Sequence, residues 1–190
     1  MPKQRITKNM VVDAAFKIAR QRGMEQVLVK NIADELGCSV QPIYSYCKNM
    51  DGLKNDVAEK ARTFILAEVG KTVDRNDLFR STGHAYIQIA KNEPHIFRMY
   101  LFQERKNVSS LDDIYCSETN PNVSKIIAEN LNISISAAKR LHLNMLIYTI
   151  GIGTIYSVTS SSISEAEIFN QQELAYEAFL KQALEDNRNE

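Results

Sequence analysis

Cysteine, glycine and proline are all scarce in this sequence of 190 residues. Three cysteines are too few for a disulfide framework and odd in number, so they indicate reduced thiols in a cytoplasmic protein. Seven glycines and four prolines leave few breaks between elements, which favours a mainly helical protein over a many-turned β fold. With 44% hydrophobic and 24% charged residues, the chain is expected to bury a substantial core, which excludes disorder as its main state.

An apolar run of the kind found in secretory signals is missing behind the basic residues of the opening MPKQRITKN, so no export is expected. Residues 141–164 carry no formal charge and are long enough to cross a bilayer. However, polar side chains such as His142 and Asn144 interrupt this stretch, and no Lys/Arg cluster flanks its far side. A buried helix is therefore the favoured interpretation.

The chain also lacks a net charge, but its charges are unevenly distributed. Residues 1–50 contain eight Lys/Arg and four Asp/Glu, whereas the remaining residues contain fifteen and nineteen. A basic N-terminal segment on a mildly acidic body suggests that this segment meets a polyanion. An ordinary solvated surface is the open alternative.

The N-terminal segment has the pattern of three short helices. Thr7 is placed to cap a first helix that runs to about Arg22, and Gly23 is expected to end it in the left-handed conformation. Apolar residues recur at helical spacing in all three segments. Those expected to face inward are Met10, Val11, Ala14, Ala15, Ile18, Ala19, Ile32, Ala33, Leu36, Ile43 and Cys47.

The second and third of these helices are joined by a short turn that contains Gly37. Ser39 is expected to cap the third helix, with Pro42 in its first turn. Two short helices joined by such a turn form a helix-turn-helix. The outward side chains of the third helix, Gln41, Tyr44, Ser45 and Tyr46, hydrogen-bond phosphates and base edges, which favours DNA binding over a hairpin that only packs.

The run AAFKIARQRGMEQVLVKNIADELGCSVQPIYSYCKNMDGLK resembles the DNA-binding domain of the TetR family of bacterial regulators. The similarity covers roughly residues 7–57, and the remaining chain resembles the family only as a helical body of the expected size. The matching positions are Ala14, Ala15, Gly23, Ile32, Ala33, Leu36, Gly37, Ser39, Ile43, Tyr44, Tyr46, Lys48 and Leu53. The resemblance implies an all-α fold, with a three-helix DNA-binding domain over residues 1–49 and a helical ligand-binding and dimerisation domain over residues 50–190.

The resemblance also implies which side chains meet DNA. Lys30 corresponds to residues that reach a base or a phosphate, and Val40, Gln41 and Ser45 are placed for major-groove contacts. Tyr44 and Lys48 resemble phosphate anchors, and Tyr46 fits either role. The alternative for each is a solvated surface residue. The sequence departs from the family at Cys47, where Phe is usual, at Pro42, where a small or hydroxylated residue is common, and at Cys38, where Val is usual and a core position is expected.

The body after residue 50 is expected to form helices with short links. The expected segments are Met50–Gly70 capped by Asn49, a helix opened by Asp74 or Asn76 that ends near Asn92, a helix starting at Glu93-Pro94, Val123–Leu131, a long helix capped by Ser134 or Ser136, and a last helix from about Glu165 to Asp186. The segment KNVSSLDDIYCSETNP lacks a clear period and is predicted to be a loop.

The last helix is apolar on more than one side, so it needs two partners. The resemblance implies that segments 137–158 and 165–184 form a four-helix bundle across a two-fold axis, and a fully internal helix is the alternative. The resemblance also implies an effector site in the body, and ordinary core packing is the alternative for each candidate residue. The candidates are Phe64, Tyr86, Phe97, Tyr100, His142, Asn144, Met145, Tyr148, Thr149 and Tyr156.

Together these features predict a ligand-responsive transcriptional regulator, most simply a repressor. It would bind a palindromic operator as a homodimer and be released by a small apolar or amphipathic molecule. An enzyme using His142 or a Cys nucleophile is the second alternative, but no nucleophile elbow, P-loop, HExxH or Cys-x-x-Cys motif supports it. The three histidines lack metal-site spacing, so no metal or other cofactor is expected. A DNA-packaging protein is the third alternative, and the large body argues against it.

Overall fold

The computed structural model describes residues 6–47, 49–74, 77–105, 107–159 and 163–187. Within those ranges the regular structure is entirely helical, which confirms the expected all-α fold. In chain order the helices are α1 (Lys8–Arg22), a 3-10 turn (Met24–Gln26), α2 (Val29–Leu36), α3 (Gln41–Tyr46), α4 (Met50–Thr72), α5 (Leu78–Asn92), α6 (Pro94–Leu101), α7 (Leu111–Glu118), α8 (Val123–Leu131), α9 (Ile135–Val158) and α10 (Glu165–Asn187).

The chain forms two compact units. The first consists of Met1–Val73 and Gln88–Gln103, and the second of Asp74–Ile87 and Glu104–Glu190. The boundary therefore falls inside α5, and α4 and α6 belong to the same unit as α1, α2 and α3.

The division into functional domains at residues 49 and 50 is a different kind of boundary. It separates DNA-binding from effector-binding and dimerisation roles, whereas the compact units reflect only packing. The functional division stays a prediction.

The first unit is built around α1. The Thr7 hydroxyl oxygen accepts a hydrogen bond from the Met10 amide at 3.3 Å, so the expected N-cap is confirmed. Gly23 ends α1 with φ 94° and ψ 161°, which is not the left-handed helical conformation that we expected. The chain leaves α1 in an extended direction and enters the 3-10 turn at once. Glycine is still required, because a side chain rarely adopts this positive φ.

The core of the first unit combines side chains from α1, α2, α3, α4 and α6. Apolar positions spaced three or four residues apart along each helix bury one face, as the sequence period predicted. The largest fully buried side chains in this unit are Val11, Val27, Ile32, Ile43, Leu53, Val57, Ile65, Ile96 and Phe97.

In the second unit, α9 and α10 are antiparallel neighbours. The Ser134 amide donates to Asn187 Oδ1 at 2.7 Å at one end, and Tyr156 and Ile168 share an apolar cluster at the other. The first half of α5 also runs antiparallel to α10, with Phe79 beside Tyr176 and Ile87 beside Ile168. The three helices therefore pack along their lengths.

The loop that we predicted for the segment KNVSSLDDIYCSETNP is wrong in its centre, because Leu111–Glu118 forms α7. Ser110 Oγ accepts from the Asp113 amide at 3.1 Å, and Asp113 Oδ2 accepts from the Ser110 amide at 3.0 Å. This reciprocal capping box stabilises the eight-residue helix. The hydrogen bonds from Ser109 and Ser110 lower the pKa of Asp113 to about 2.

The remaining helix boundaries agree closely with the sequence. Asn49 caps α4 through a 2.7 Å bond from the Gly52 amide, and Pro94 lies in the first turn of α6. Ser134, rather than Ser136, caps α9. The predicted opening residue Asn76 and the serines at 160–162 lie outside the described residues.

Among the described helices, α9 is long and apolar enough to cross a membrane by length and composition alone. Only 28% of its most apolar 18-residue window is buried. The expected buried helix is thus confirmed for one side, which includes Leu141 and Met145. The other side is exposed, as at Ile147 and Ile155.

Candidate nucleic-acid interface

Helices α2 and α3 form the helix-turn-helix that the sequence predicted. Gly37 ends α2 in the left-handed conformation, with φ 62° and ψ 35°. The amide of Gly37 donates to Asp34 O at 3.2 Å, and the amide of Cys38 donates to Ala33 O at 3.0 Å. These two bonds satisfy carbonyls at the end of α2 and set the direction in which the chain enters α3.

The inner side of α3 is fixed by two buried residues. Ile43 is fully buried and Cys47 is 8% exposed, so the thiol fills the position where the family usually has a phenylalanine. Burial raises the pKa of the Cys47 thiol, which keeps it neutral. Cys38, in contrast, is half-buried rather than a core residue.

The start of α3 differs from the prediction. Val40, not Ser39, is the N-cap residue, and no side chain caps the helix. Pro42 does lie in the first turn, where its missing N–H costs no intrahelical hydrogen bond. Helix α3 therefore relies on its buried side and on Pro42 rather than on a cap.

Most of the predicted DNA-contacting side chains lie on the open side of this motif. Gln41 and Ser45 are exposed, and Tyr44 is 63% exposed although it is aromatic. Tyr46 is half-buried. Lys30, in the first turn of α2, is also exposed. Lys48 lies outside the described residues.

Val40 is a further exposed member of this set, at 42% exposure. The hydroxyl of Ser45 donates to the Gln41 carbonyl at 3.2 Å, so its proton is already used within the helix. The structure thus brings Val40, Gln41, Tyr44 and Ser45 together on α3 and its N-cap, and their contacts with DNA stay a prediction.

The basic residues of α1 have another role. Lys8 Nζ lies 2.8 Å from Asp56 of α4, Lys17 pairs with Glu35 of α2, and Arg20 pairs with Glu93. These cations join helices within the first unit. The charge excess counted over residues 1–50 is therefore partly neutralised by carboxylates from later in the chain.

The charge asymmetry nevertheless persists when whole compact units are compared. The first unit has fourteen Lys/Arg and nine Asp/Glu, and the second has nine and fourteen. A basic unit that carries the helix-turn-helix is suited to approach a polyanion.

The residues predicted for an effector site are divided between the two units. Phe64, Phe97 and Tyr100 belong to the first, where Phe97 and Tyr100 are buried and Phe64 packs on Phe16 with ring centroids 6.0 Å apart. The remaining candidates belong to the second unit, and they are Tyr86, His142, Asn144, Met145, Tyr148, Thr149 and Tyr156.

Several candidates in the second unit are already held by neighbours. His142 Nδ1 lies 2.9 Å from the Tyr115 hydroxyl, and burial lowers the pKa of His142 to about 4. Met145 is part of the apolar core, and the Tyr148 ring packs edge-on against Phe179 at 6.4 Å. These contacts are what ordinary core packing requires, so an effector role for them stays a prediction.

Sequence reasoning missed the buried polar side chain of Gln172 on α10, which is 3% exposed. Its Nε2 donates to Thr149 Oγ1 at 3.2 Å, and its Oε1 has no partner among the described residues. A side chain at Gly83 would overlap the Gln172 amide, so the glycine makes room for it. A mid-helix glycine and a glutamine four residues after the buried Ile168 were the available signals.

Comparisons with known proteins agree with this architecture. No protein-family model matches the chain. A curated relative from Bacillus subtilis (strain 168), the uncharacterized HTH-type transcriptional regulator YobS, is 22% identical over 194 residues, covering 99% of this chain and 98% of the relative.

Solved structures give the same result for the fold. A TetR-like transcriptional regulator from Rhodococcus sp. RHA1 is similar with a TM-score of 0.64 and 11% identity, covering 95% of this chain and 99% of the other. A TetR-family regulator from Streptomyces coelicolor is similar with a TM-score of 0.64 and 12% identity, covering 94% and 88%.

The fold and the α2–α3 motif thus define a helix-turn-helix protein with a helical body. The all-α fold that the resemblance implied is confirmed, because the solved structures of a TetR-like and a TetR-family regulator are similar over nearly the whole chain.

Proposed function

We propose that this protein is a ligand-responsive transcriptional repressor that binds a palindromic DNA operator as a homodimer. The observation that carries the proposal is α3. Ile43 and Cys47 anchor its inner side, while Gln41, Tyr44 and Ser45 remain exposed without a core role. An exposed tyrosine and amide on the second helix of a helix-turn-helix are suited to the phosphates and base edges of a major groove.

A second copy of the chain is the proposed partner for the open side of α9. Ile147, Gly151, Ile155 and Val158 are exposed and spaced by four, four and three residues, so they share one face of the helix. Leu174 is similarly exposed on α10. Pairing of these faces about a two-fold axis would bury them, and it would present two α3 helices to successive half-sites.

The proposed effector is a small apolar or amphipathic molecule bound in the body, residues 50–190. Aromatic side chains, including Tyr86 and Tyr148, and the polar Thr149 support this class. Such a molecule releases DNA only if it binds the DNA-free geometry better than the DNA-bound geometry. The alternatives have less support, since the named relatives are regulators rather than enzymes, and DNA packaging would need no such body.

The proposal is tested by footprinting the full-length protein on genomic DNA fragments. We expect protection at a few palindromic sites whose half-site centres lie about 34–36 Å apart or a multiple of that. Uniform coating of all fragments would instead identify a packaging protein, and a single asymmetric half-site with full affinity would contradict the dimer.

The salt dependence of binding gives a second, residue-level test. Lys48→Ala should weaken binding to operator and to random DNA alike and reduce the salt slope by about one unit, because a phosphate contact carries no sequence information. Gln21→Ala, an exposed position on α1, is the control and should leave the slope unchanged. An unchanged slope in Lys48→Ala would remove Lys48 from the interface.

A further inference from the structure

Helix α3, the second helix of the helix-turn-helix, carries no charged side chain. From Gly37 to Cys47, which covers the turn and all of α3, the sequence contains no Lys, Arg, His, Asp or Glu. Guanine is most often read by the bidentate contact of an arginine or lysine, and the amino group of cytosine by a carboxylate. Helix α3 has neither kind of group for a G·C pair.

Only two side chains of α3 and its N-cap remain to distinguish bases. Gln41 is exposed in the first turn, and its amide has both the donor and the acceptor that match N7 and the amino group of adenine. Val40 is exposed immediately before it, and its methyl groups match the C5-methyl of thymine.

The other polar groups of α3 are less suited to base recognition. The Ser45 hydroxyl already donates its hydrogen bond to the Gln41 carbonyl, and Tyr46 is half-buried. Tyr44 is the most exposed of them and has a single hydroxyl on a rigid ring, which suits one phosphate oxygen.

We propose that α3 reads A·T pairs: Gln41 contacts an adenine and Val40 the methyl group of a nearby thymine in each half-site. This inference rests on the proposed function, since it names the base composition of the DNA that the same helix would bind. It predicts half-sites whose α3-facing positions are A·T, whatever Lys30 contacts from α2.

The test starts with selection of binding sites from random double-stranded DNA by the full-length protein. We expect a palindrome with A·T pairs at the positions protected by α3. Gln41→Ala should lose the preference at the adenine position while keeping the rest of the motif, and Gln21→Ala should select the wild-type motif.

Modified bases then test the two contacts in the wild-type protein, with the matched alanine variants as controls. Replacing the selected adenine by 7-deazaadenine removes the N7 acceptor, one of the two hydrogen bonds, and should weaken wild-type binding roughly 2- to 12-fold. Replacing the thymine by uracil removes one methyl group and should weaken it about fourfold. The 7-deazaadenine substitution should weaken binding little further in Gln41→Ala. The uracil substitution should weaken binding little further in Val40→Ala.

The outcomes separate this inference from the proposed function. G·C pairs at the α3-facing positions, or modified bases that act equally on the wild type and the matched variant, would overturn the A·T assignment and leave a DNA-binding regulator. If no double-stranded sequence is enriched, both the inference and the proposed function fail.

Discussion

The half-buried His142 makes the stability of this protein depend on pH in a defined window. Its imidazole projects from α9 toward α7, with Nδ1 2.9 Å from the Tyr115 hydroxyl. The rings of Phe79 and Tyr115 pack edge-on against it, at centroid distances of 5.6 and 5.3 Å. Burial disfavours the charged form and lowers the pKa of His142 from 6.5 to about 4.

The direction of the effect follows from which state binds the proton first. As the pH falls below 6.5, the unfolded chain protonates at this histidine while the folded protein does not. The free energy of unfolding is therefore unaffected well above pH 6.5 and decreases until the pH reaches about 4. At pH 5 the loss from this single group is about 2 kcal/mol, and its limit is about 3 kcal/mol.

The assay is urea unfolding, followed by circular dichroism, at pH 7.5 and pH 5. His142→Gln is the informative variant, because glutamine retains an acceptor for the Tyr115 hydroxyl but does not titrate. The wild type should lose about 2 kcal/mol more than the variant between the two pH values. Asp113, whose pKa is about 2, titrates below this window and does not interfere. Equal losses in both proteins would show that His142 is not buried as a neutral imidazole.

Three further predictions address contacts within each unit and the proposed dimer. Thr149→Val should lower the free energy of unfolding by about 1–3 kcal/mol, because it leaves the buried Gln172 amide unpaired. Thr149→Ser keeps the hydroxyl and should lower it less, and equal losses of the two variants in chemical denaturation would contradict this role. Glu93→Gln should lower the free energy of unfolding by roughly 0.5–1 kcal/mol, because it removes the charge that attracts Arg20. Arg20 is partly exposed, so salt screens this attraction and the loss should be smaller in about 0.5 M salt; a loss independent of salt would argue against a charge interaction. In sedimentation at micromolar concentration, Ile155→Asp should be a monomer where the wild type is a dimer. Ile126→Asp, which changes an exposed isoleucine of α8, should remain a dimer, and a monomeric wild type would refute the dimer.

Most of the helix-turn-helix was predictable because local chemistry determines it. The Thr7 cap, the turn at Gly37 and the inward spacing of Ile32 and Ile43 are all present. The predicted Ser39 cap and the left-handed Gly23 are wrong. The long helices α4, α9 and α10 were predictable for the same reason, since each spans several repeats of the helical period.

The errors arose where a short-range signal was ambiguous or a distant residue decided the outcome. Helix α7 has only two turns, and its capping box uses Asp113 where glutamate or glutamine is the usual signal. The ion pairs of α1 with Asp56 and Glu93 depend on tertiary packing, so a charge count over residues 1–50 could not anticipate them. The buried Gln172 similarly requires its neighbours Thr149 and Gly83 to be brought together.

Under the proposed function, Phe64 is placed to couple α4 and α6 to α1, and an effector contact at Phe64 stays a prediction. Its ring packs on Phe16 of α1, and the Arg20 guanidinium lies over it at 4.9 Å. Arg20 Nε donates to Glu93 Oε2 at 2.9 Å, immediately before the first turn of α6. Phe64 therefore sits where α1, α4 and α6 meet within the first unit. If α4 or α6 moves, either α1 moves with it, or the Phe16–Phe64 contact and the Arg20–Glu93 ion pair break. Under the proposed function, the coupling free energy between effector binding and DNA binding would typically amount to about 1–3 kcal/mol. The combined interaction energy of the Phe16–Phe64 ring contact and the Arg20–Glu93 ion pair is of that order. Under the proposed function, an effector would act by preferring one arrangement of α4 and α6, and the Phe64 and Arg20 contacts would pass that preference to α1.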